Sequence, residues 1–207
     1  MNSPSAERAL KPAGHGRAMA GPGPIAMFFK GFLRNPVMVG SVIPSSRKLI
    51  ARMLSRTDWA NTRLFVEYGP GVGTFCQQVL DRMGPEGTYI AIDTNPDFID
   101  YLRRTVVDPR FVPVLGSAAD VRRIIVDHGH EQADYILSGL PFSTLPPGVG
   151  ARIAAETHGV LRQGGAFLVY QFSPKVRDFL AMSFQRIDHA MEVVNVPPAQ
   201  LYWAWKD

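Results

Sequence analysis

From residue 63 onward the chain alternates short apolar runs with segments of helical periodicity. This alternation limits the possible folds more than any other feature. RLFVEYG (63–69), GTYIAID (87–93), RFVPVLG (110–116), ADYILSG (133–139) and GGAFLVYQF (164–172) read as strands. Between them TFCQQVLDRM, PDFIDYLRRTV, AADVRRIIVDH, GVGARIAAETHGVL and a short PKVRDFLAMSF read as helices. Such alternation specifies an α/β fold, a mainly parallel sheet covered by helices on both faces. The last two segments, RIDHAMEVVN and AQLYWAWK, are both extended and separated only by VPP. With no helix between them they form a hairpin, so one strand must run antiparallel. Tyr202, Trp203 and Trp205 in LYWAW are expected in the sheet and core.

The chain holds 207 residues, 46% of them apolar, enough for one domain with an appendage. Residues 1–24 are rich in Pro, Gly, Ala and Ser, show no apolar signal-peptide core and read as a disordered tail. Residues 25–43 carry Phe28, Phe29 and Phe32 with Lys30 and Arg34, a pattern of an amphipathic helix lying in a membrane interface. Packing of that helix on its own domain is the ordinary alternative. The cations and Asn35-Pro36 argue against a spanning helix. PSSRKLIARMLSR (44–56) reads as a further helix capped by Ser45 or Ser46. The main domain is expected over 44–207.

Charge is unevenly spread. The net charge is +4, yet residues 1–60 hold nine Lys and Arg against two acids, so the remainder is acidic. A basic end suits an anionic partner, nucleic acid or a membrane surface. The single cysteine, Cys76, excludes an internal disulfide and reads as a small buried hydrophobe. The five histidines are scattered, and His128 and His130, two apart at a helix end, do not by themselves make a metal site.

The chemistry concentrates in EYGPGVG (67–73), at the end of the first strand. In open parallel sheets ligands bind beyond the carboxyl ends of the strands, where strand order reverses. Gly69 and Gly71 permit a tight turn and close approach of a ligand to main chain, and Gly73 lets the next helix start nearby. The nicotinamide spacing G-x-G-x-x-G is not met; an acid precedes G-x-G-x-G instead. Asp93 ends the second strand, about 20 residues on, where a carboxylate can accept from both ribose hydroxyls.

This pattern resembles the S-adenosylmethionine site of class I methyltransferases over about residues 44–207. The resemblance implies a Rossmann-like seven-stranded sheet whose last strand is antiparallel, and S-adenosylmethionine as cofactor. It implies that Glu67 orients the methionine end of the cofactor and that Ser117 and Ala118 lie beside the adenine. Ser117 stands where many relatives have Asp, and is equally a helix cap. Thr94, Ser45, Ser46, Ser138 and Gly139 complete the implied cofactor contacts.

SGLPF (138–142) closes the fourth strand, the edge that holds the methyl acceptor in these enzymes. It resembles the N-L-P-Y motif of enzymes that methylate exocyclic amines, with Ser138-Gly139 replacing the Asn. The carbonyls of Ser138 and Leu140 would aim the amine, and Phe142 would supply an aromatic wall. Phe142, Tyr170 and Phe172 are candidates to face a methylated ammonium through their rings, core packing being the ordinary reading for any one of them. Tyr170 and Gln171 are the candidates on the headgroup side. Together, FFKGFLRNPVMVGSVIPSSRKLIARM, VEYGPGVGTF and SGLPFSTLP resemble the bacterial phospholipid N-methyltransferase family. That resemblance implies stepwise methylation of phosphatidylethanolamine towards phosphatidylcholine, or of an ornithine lipid, by a cytoplasmic enzyme peripheral on the inner face of the membrane. An rRNA adenine N6-methyltransferase, a small-molecule methyltransferase and a non-catalytic membrane-binding module are the competing readings. The missing Asn, and a sequence that closes on its last strand without a helical RNA-binding domain, argue against the first. No stable nucleic-acid partner is expected.

Overall fold

The computed structural model describes residues 43–142, 145–171, 175–193 and 198–207, with side chains from Arg47 onward. Phe172 and, apart from Ile43, the amphipathic segment and the tail expected before it lie outside the described residues. The elements are α1 (Ile43–Leu54), β1 (Leu64–Tyr68), α2 (Cys76–Leu80), β2 (Thr88–Asp93), α3 (Pro96–Thr105), β3 (Phe111–Leu115) and α4 (Val121–Asp127). They continue as β4 (Ala133–Ser138), α5 (Val149–Val160), β5 (Leu161–Gln171), α6 (Val176–Ala181), β6 (Arg186–Glu192) and β7 (Ala199–Trp205).

One seven-stranded sheet runs in the order β3-β2-β1-β4-β5-β7-β6. β1 to β5 pair in parallel, and β7 is antiparallel to both β5 and β6. The expected hairpin is therefore present, with its second strand inserted between β5 and β6. Strand order reverses between β1 and β4, which opens a crevice at their carboxyl ends.

β1 and β4 are buried along their whole length, as strands covered on both faces must be. Leu64, Val66 and Tyr68 point into one core with α4, α5 and α6. Phe65 points into the other, with α1, α2 and Leu102 of α3. Tyr202 and Trp203, each 2% exposed, are core residues as expected, and Cys76 is buried. At the opposite edge of the sheet the Asp134 carboxylate accepts from the N–H groups of Arg63 (2.7 Å) and Leu64 (2.8 Å) and pairs with Arg162. That cluster ties the starts of β1, β4 and β5 together.

Local sequence explains the helix ends. Asn95 caps α3 by accepting from the N–H of Asp97 at 2.9 Å, Pro96 fills the first turn, and Arg103 and Arg104 complete the last. α2 is shorter than its periodicity suggests, because the loop from Gly71 keeps turn geometry as far as Phe75. α1 begins at Ile43, so Ser45 and Ser46 lie inside its first turn rather than capping it. Arg52 pairs with Glu192 and Arg56 with Asp188, so α1 runs opposite to β6 and directs its first turn towards the carboxyl edge. The indole N–H of Trp203 donates to the Met53 carbonyl at 2.9 Å and holds the helix down.

Candidate active site

The crevice between β1 and β4 is walled by two loops that continue their strands. Gly69 N–H donates to the Ile92 carbonyl (2.9 Å), and Gly139 N–H donates to the Tyr68 carbonyl (3.1 Å). Sheet pairing therefore carries both loops up to their first glycine before they diverge.

The three glycines of EYGPGVG have different physical reasons. All take positive φ, at 66°, 56° and 79° for Gly69, Gly71 and Gly73. A Cβ on Gly69 would stand 2.9 Å from Leu140 Cδ2, so that glycine lets the two loops touch. A Cβ on Gly73 would stand 2.8 Å from Leu102 Cδ2 and 3.0 Å from Cys76 Sγ, so that one lets the turn pack on the helices. A Cβ on Gly71 would meet nothing within 4 Å among the described residues. Only at Gly71 does the bare main chain face open space, as a ligand lying on the backbone requires.

Asp93 bridges this loop to the end of β2. Its carboxylate accepts from the N–H of Asn95 at 2.9 Å and from that of Gly71 at 3.4 Å. Burial pushes its pKa up, opposed by backbone N–H donation from Asn95, Gly71 and Thr94. Thr94 itself is exposed at the rim. These residues fit a cofactor that carries hydroxyls: an acceptor carboxylate held by main chain stands next to uncovered backbone.

Glu67 is 1% exposed and lies beneath the loop. Its carboxylate accepts a short hydrogen bond from the Tyr89 hydroxyl, and Cys76 Sγ lies 3.7 Å from the same hydroxyl. Burial pushes the Glu67 pKa up to about 7; the Tyr89 bond lowers it and the charge of Asp93 raises it. Burial first, and the Glu67 charge next, also push the Cys76 thiol well up, so this cysteine is an inert packing group. Sequence reasoning missed Tyr89. Its parity in TYIAID places it on the face of Asp93, but only the strand register (Phe65 opposite Tyr89) brings it beneath Glu67.

Ser117 accepts from the N–H of Ala119 at 3.2 Å and caps the 3-10 turn Ala118–Asp120. The cap reading of Ser117 thus holds locally, and Ala118 is 7% exposed.

At the acceptor loop the Leu140 carbonyl and Gln171 depart from expectation, and Phe142 takes the core position that was its ordinary reading. Phe142 is 2% exposed and packs against Phe167 and Phe179, so its ring belongs to the core instead of forming a wall. The Leu140 carbonyl, expected to aim the acceptor, already accepts from the N–H of Phe142 at 2.9 Å and from Gln171 Nε2. Gln171, expected on the headgroup side, is 8% exposed and spends its amide on that bond. Ser138 is buried, and its hydroxyl accepts from the N–H of Leu140 at 3.2 Å.

Tyr170 does reach the crevice. A Cβ on Gly139 would stand 2.5 Å from the Tyr170 hydroxyl oxygen and 3.4 Å from the Gly69 carbonyl. Tyr170 thus sits where the two loops meet, its ring 5.2 Å from that of Phe75. Phe75 was not expected there; its position follows from the extended turn before α2.

Among the described residues no helix is long and apolar enough to cross a membrane. The sequence profile of the methyltransferase-domain family matches residues 65–165. The ornithine lipid N-methyltransferase of Singulisphaera acidiphila is 30% identical over 179 residues, covering 86% of this chain and 93% of that protein. Among solved structures, the N-methyltransferase NodS of Bradyrhizobium japonicum superposes with a TM-score of 0.64 at 11% identity, over 79% of this chain and 98% of that one. The 1,6-didemethyltoxoflavin-N1-methyltransferase of Burkholderia thailandensis gives 0.62 at 16% identity, over 91% and 92%. At such identities the structural likeness concerns the fold.

Proposed function

The chain belongs to the class I S-adenosylmethionine-dependent methyltransferases, and we propose that it acts on the primary amine of a membrane lipid. The observation that carries the lipid reading is the curated relative, whose acceptor is an ornithine lipid and which this chain matches over 93% of its length. Phosphatidylethanolamine, methylated stepwise towards phosphatidylcholine, presents the same chemistry: a primary amine on a short tether at a bilayer surface.

The cofactor is S-adenosylmethionine, which supplies an electrophilic methyl group on a positively charged sulfur. We assign its binding to the β1 side of the crevice. Gly71 offers main chain along open space, and Asp93 offers carboxylate oxygens to the ribose hydroxyls. Glu67 supports the loop from below and favours the cationic methionine end when ionised. Thr94 and the Ser117–Ala118 turn border the adenine side, and the first turn of α1, with Ser45 and Ser46, closes the methionine side.

The β4 side receives the amine. Ser138 and Gly139 bring main chain to the opening, and Tyr170 lies across the boundary between the two half-sites. Its hydroxyl and ring edge orient the nitrogen, and its ring tolerates the growing apolar cation as methyls are added. An in-line displacement gains most of its acceleration from such placement. The attacking nitrogen must arrive neutral, against a pKa near ~10 for an alkylammonium. Residues 138–142 contain no carboxylate or imidazole, which leaves water or a relay through main-chain carbonyls to take the proton.

Residues 25–43 carry the membrane contact in this reading. Their three phenylalanines enter the acyl boundary and Lys30 and Arg34 meet anionic headgroups, which makes the enzyme peripheral on the cytoplasmic face.

The test uses the purified full chain with methyl-labelled S-adenosylmethionine. Vesicles containing phosphatidylethanolamine, vesicles containing ornithine lipid and a naked rRNA transcript are offered separately. Label in either lipid supports the proposal and names the headgroup. Label in RNA alone, or in none of the three, refutes it.

A further inference from the structure

The geometry assigns Gln171 the role of a positioning residue: from the end of β5 it holds the acceptor loop 138–142 in register with the cofactor loop. The assignment rests on the reading that this loop receives the methyl acceptor.

The ladder between β4 and β5 explains why such a residue is needed. Pairing is parallel and ends at Ser138 opposite Val169. One step further would place Gly139 opposite Tyr170 and Leu140 opposite Gln171, but the chain leaves the strand there. Pro141 follows and has no N–H to give a ladder. What replaces the lost backbone pairing is the Gln171 side chain, whose Nε2 donates to the Leu140 carbonyl across 31 residues of sequence.

At the root of the loop Gly139 N–H donates to the Tyr68 carbonyl (3.1 Å). Beyond that point two further bonds are local. Leu140 N–H reaches only back to Ser138 Oγ (3.2 Å), and Phe142 N–H only to the Leu140 carbonyl (2.9 Å). They define a tight turn without fixing its tilt against the sheet. The Gln171 bond does fix it. Because Leu140 Cδ2 rests on Gly69, the same bond sets the spacing between the acceptor loop and the cofactor loop. Gln171 is buried, so an unmatched amide there is costly and the bond persists. Tyr170, next in sequence, meets Gly139 from the same strand end, so β5 supplies both orienting contacts.

A residue that sets placement acts on turnover more than on binding. Gln171→Met keeps length and removes both amide functions. It is expected to lower kcat on the accepted lipid by ~10- to 100-fold, with little change in KM and unchanged affinity for S-adenosylhomocysteine by calorimetry. Gln171→Glu adds a signature that a purely structural role would not move. A protonated carboxyl can still donate to the Leu140 carbonyl, whereas a carboxylate repels it. The ratio of Gln171→Glu to wild-type kcat, taken at each pH, should rise as pH falls from about 8.5 to 5.5 as the carboxyl protonates, while the Gln171→Met ratio stays flat.

A measurement without substrate separates this assignment from the lipid proposal. Hydrogen exchange should quicken at the Leu140 and Phe142 amides in Gln171→Met and stay unchanged in β4, even if neither lipid is methylated. Normal kcat in Gln171→Met, or a pH-independent Gln171→Glu ratio, or unaltered exchange at 140 and 142, would overturn the assignment. If Gln171→Met melts well below the wild type, Gln171→Glu at low pH decides alone.

Discussion

The Tyr89 hydroxyl donates to the Glu67 carboxylate beneath the glycine loop, and both side chains are buried. A carboxylate near the end of a fully covered strand loses its water, and one phenol replaces only part of it. The pair therefore holds a proton near neutrality directly below the glycine loop.

Stability in the absence of cofactor should report that proton. Burial raises Glu67 from 4.5 to about 7, so the protonated form is the one the fold prefers. Its contribution is whole below the unfolded value and is lost as pH rises through about 7. A shift of that size corresponds to about 3 kcal/mol, or roughly 6–12 °C in a chain of this length. Glu67→Gln stays neutral throughout. Its melting temperature should match the wild type near pH 4.5 and exceed it increasingly towards pH 8. A difference that does not change with pH would contradict this.

Gly71→Val should abolish S-adenosylhomocysteine binding while leaving a cooperative fold. A Cβ there meets no described residue within 4 Å, and the positive φ costs about 1–3 kcal/mol. Calorimetry and a melting curve on the same sample check both halves. Retained affinity would remove the cofactor from this loop.

Gly139→Ala should fail for the opposite reason, because its Cβ meets the Tyr170 hydroxyl at 2.5 Å. We expect about 1–3 kcal/mol of destabilisation and a large loss of turnover. Tyr170→Phe removes the clashing oxygen and leaves Cζ at 3.1 Å, so the double variant should recover most of the lost stability. A double-mutant cycle in urea measures the coupling. Additive effects would mean that the two residues do not meet.

Phe28→Asp should release the protein from vesicles containing anionic lipid, and should lower activity on vesicles far more than on detergent-dispersed lipid. Co-sedimentation checks the first expectation and paired assays the second. Equal losses on both substrates would give the segment a structural role.

The division between what could be read and what could not follows from the range of the forces involved. The β/α alternation, the hairpin at the end, the Asn95-Pro96 helix start and the carboxylate-glycine turn are encoded within a few residues by periodicity and backbone sterics. They were legible without coordinates, and with them the class of enzyme. Boundaries were less so: α2 shortened because the glycine turn runs on to Phe75, and α1 started ahead of the serines expected to cap it.

The roles at the acceptor loop were not legible. Gln171 and Leu140 lie 31 positions apart and meet only because β5 pairs with β4 in one register. Phe142 turned inward because Phe167 and Phe179 offered it a packed apolar site. Gly69, Gly71 and Gly73 look alike in a string of letters, yet one clears Leu140, one clears Leu102 and one faces open space. The amino-acid sequence by itself determined the layers, the switch point and the cofactor. Tertiary structure alone decided which side chains face the crevice, because that depends on which strands lie side by side and on how much room their neighbours leave.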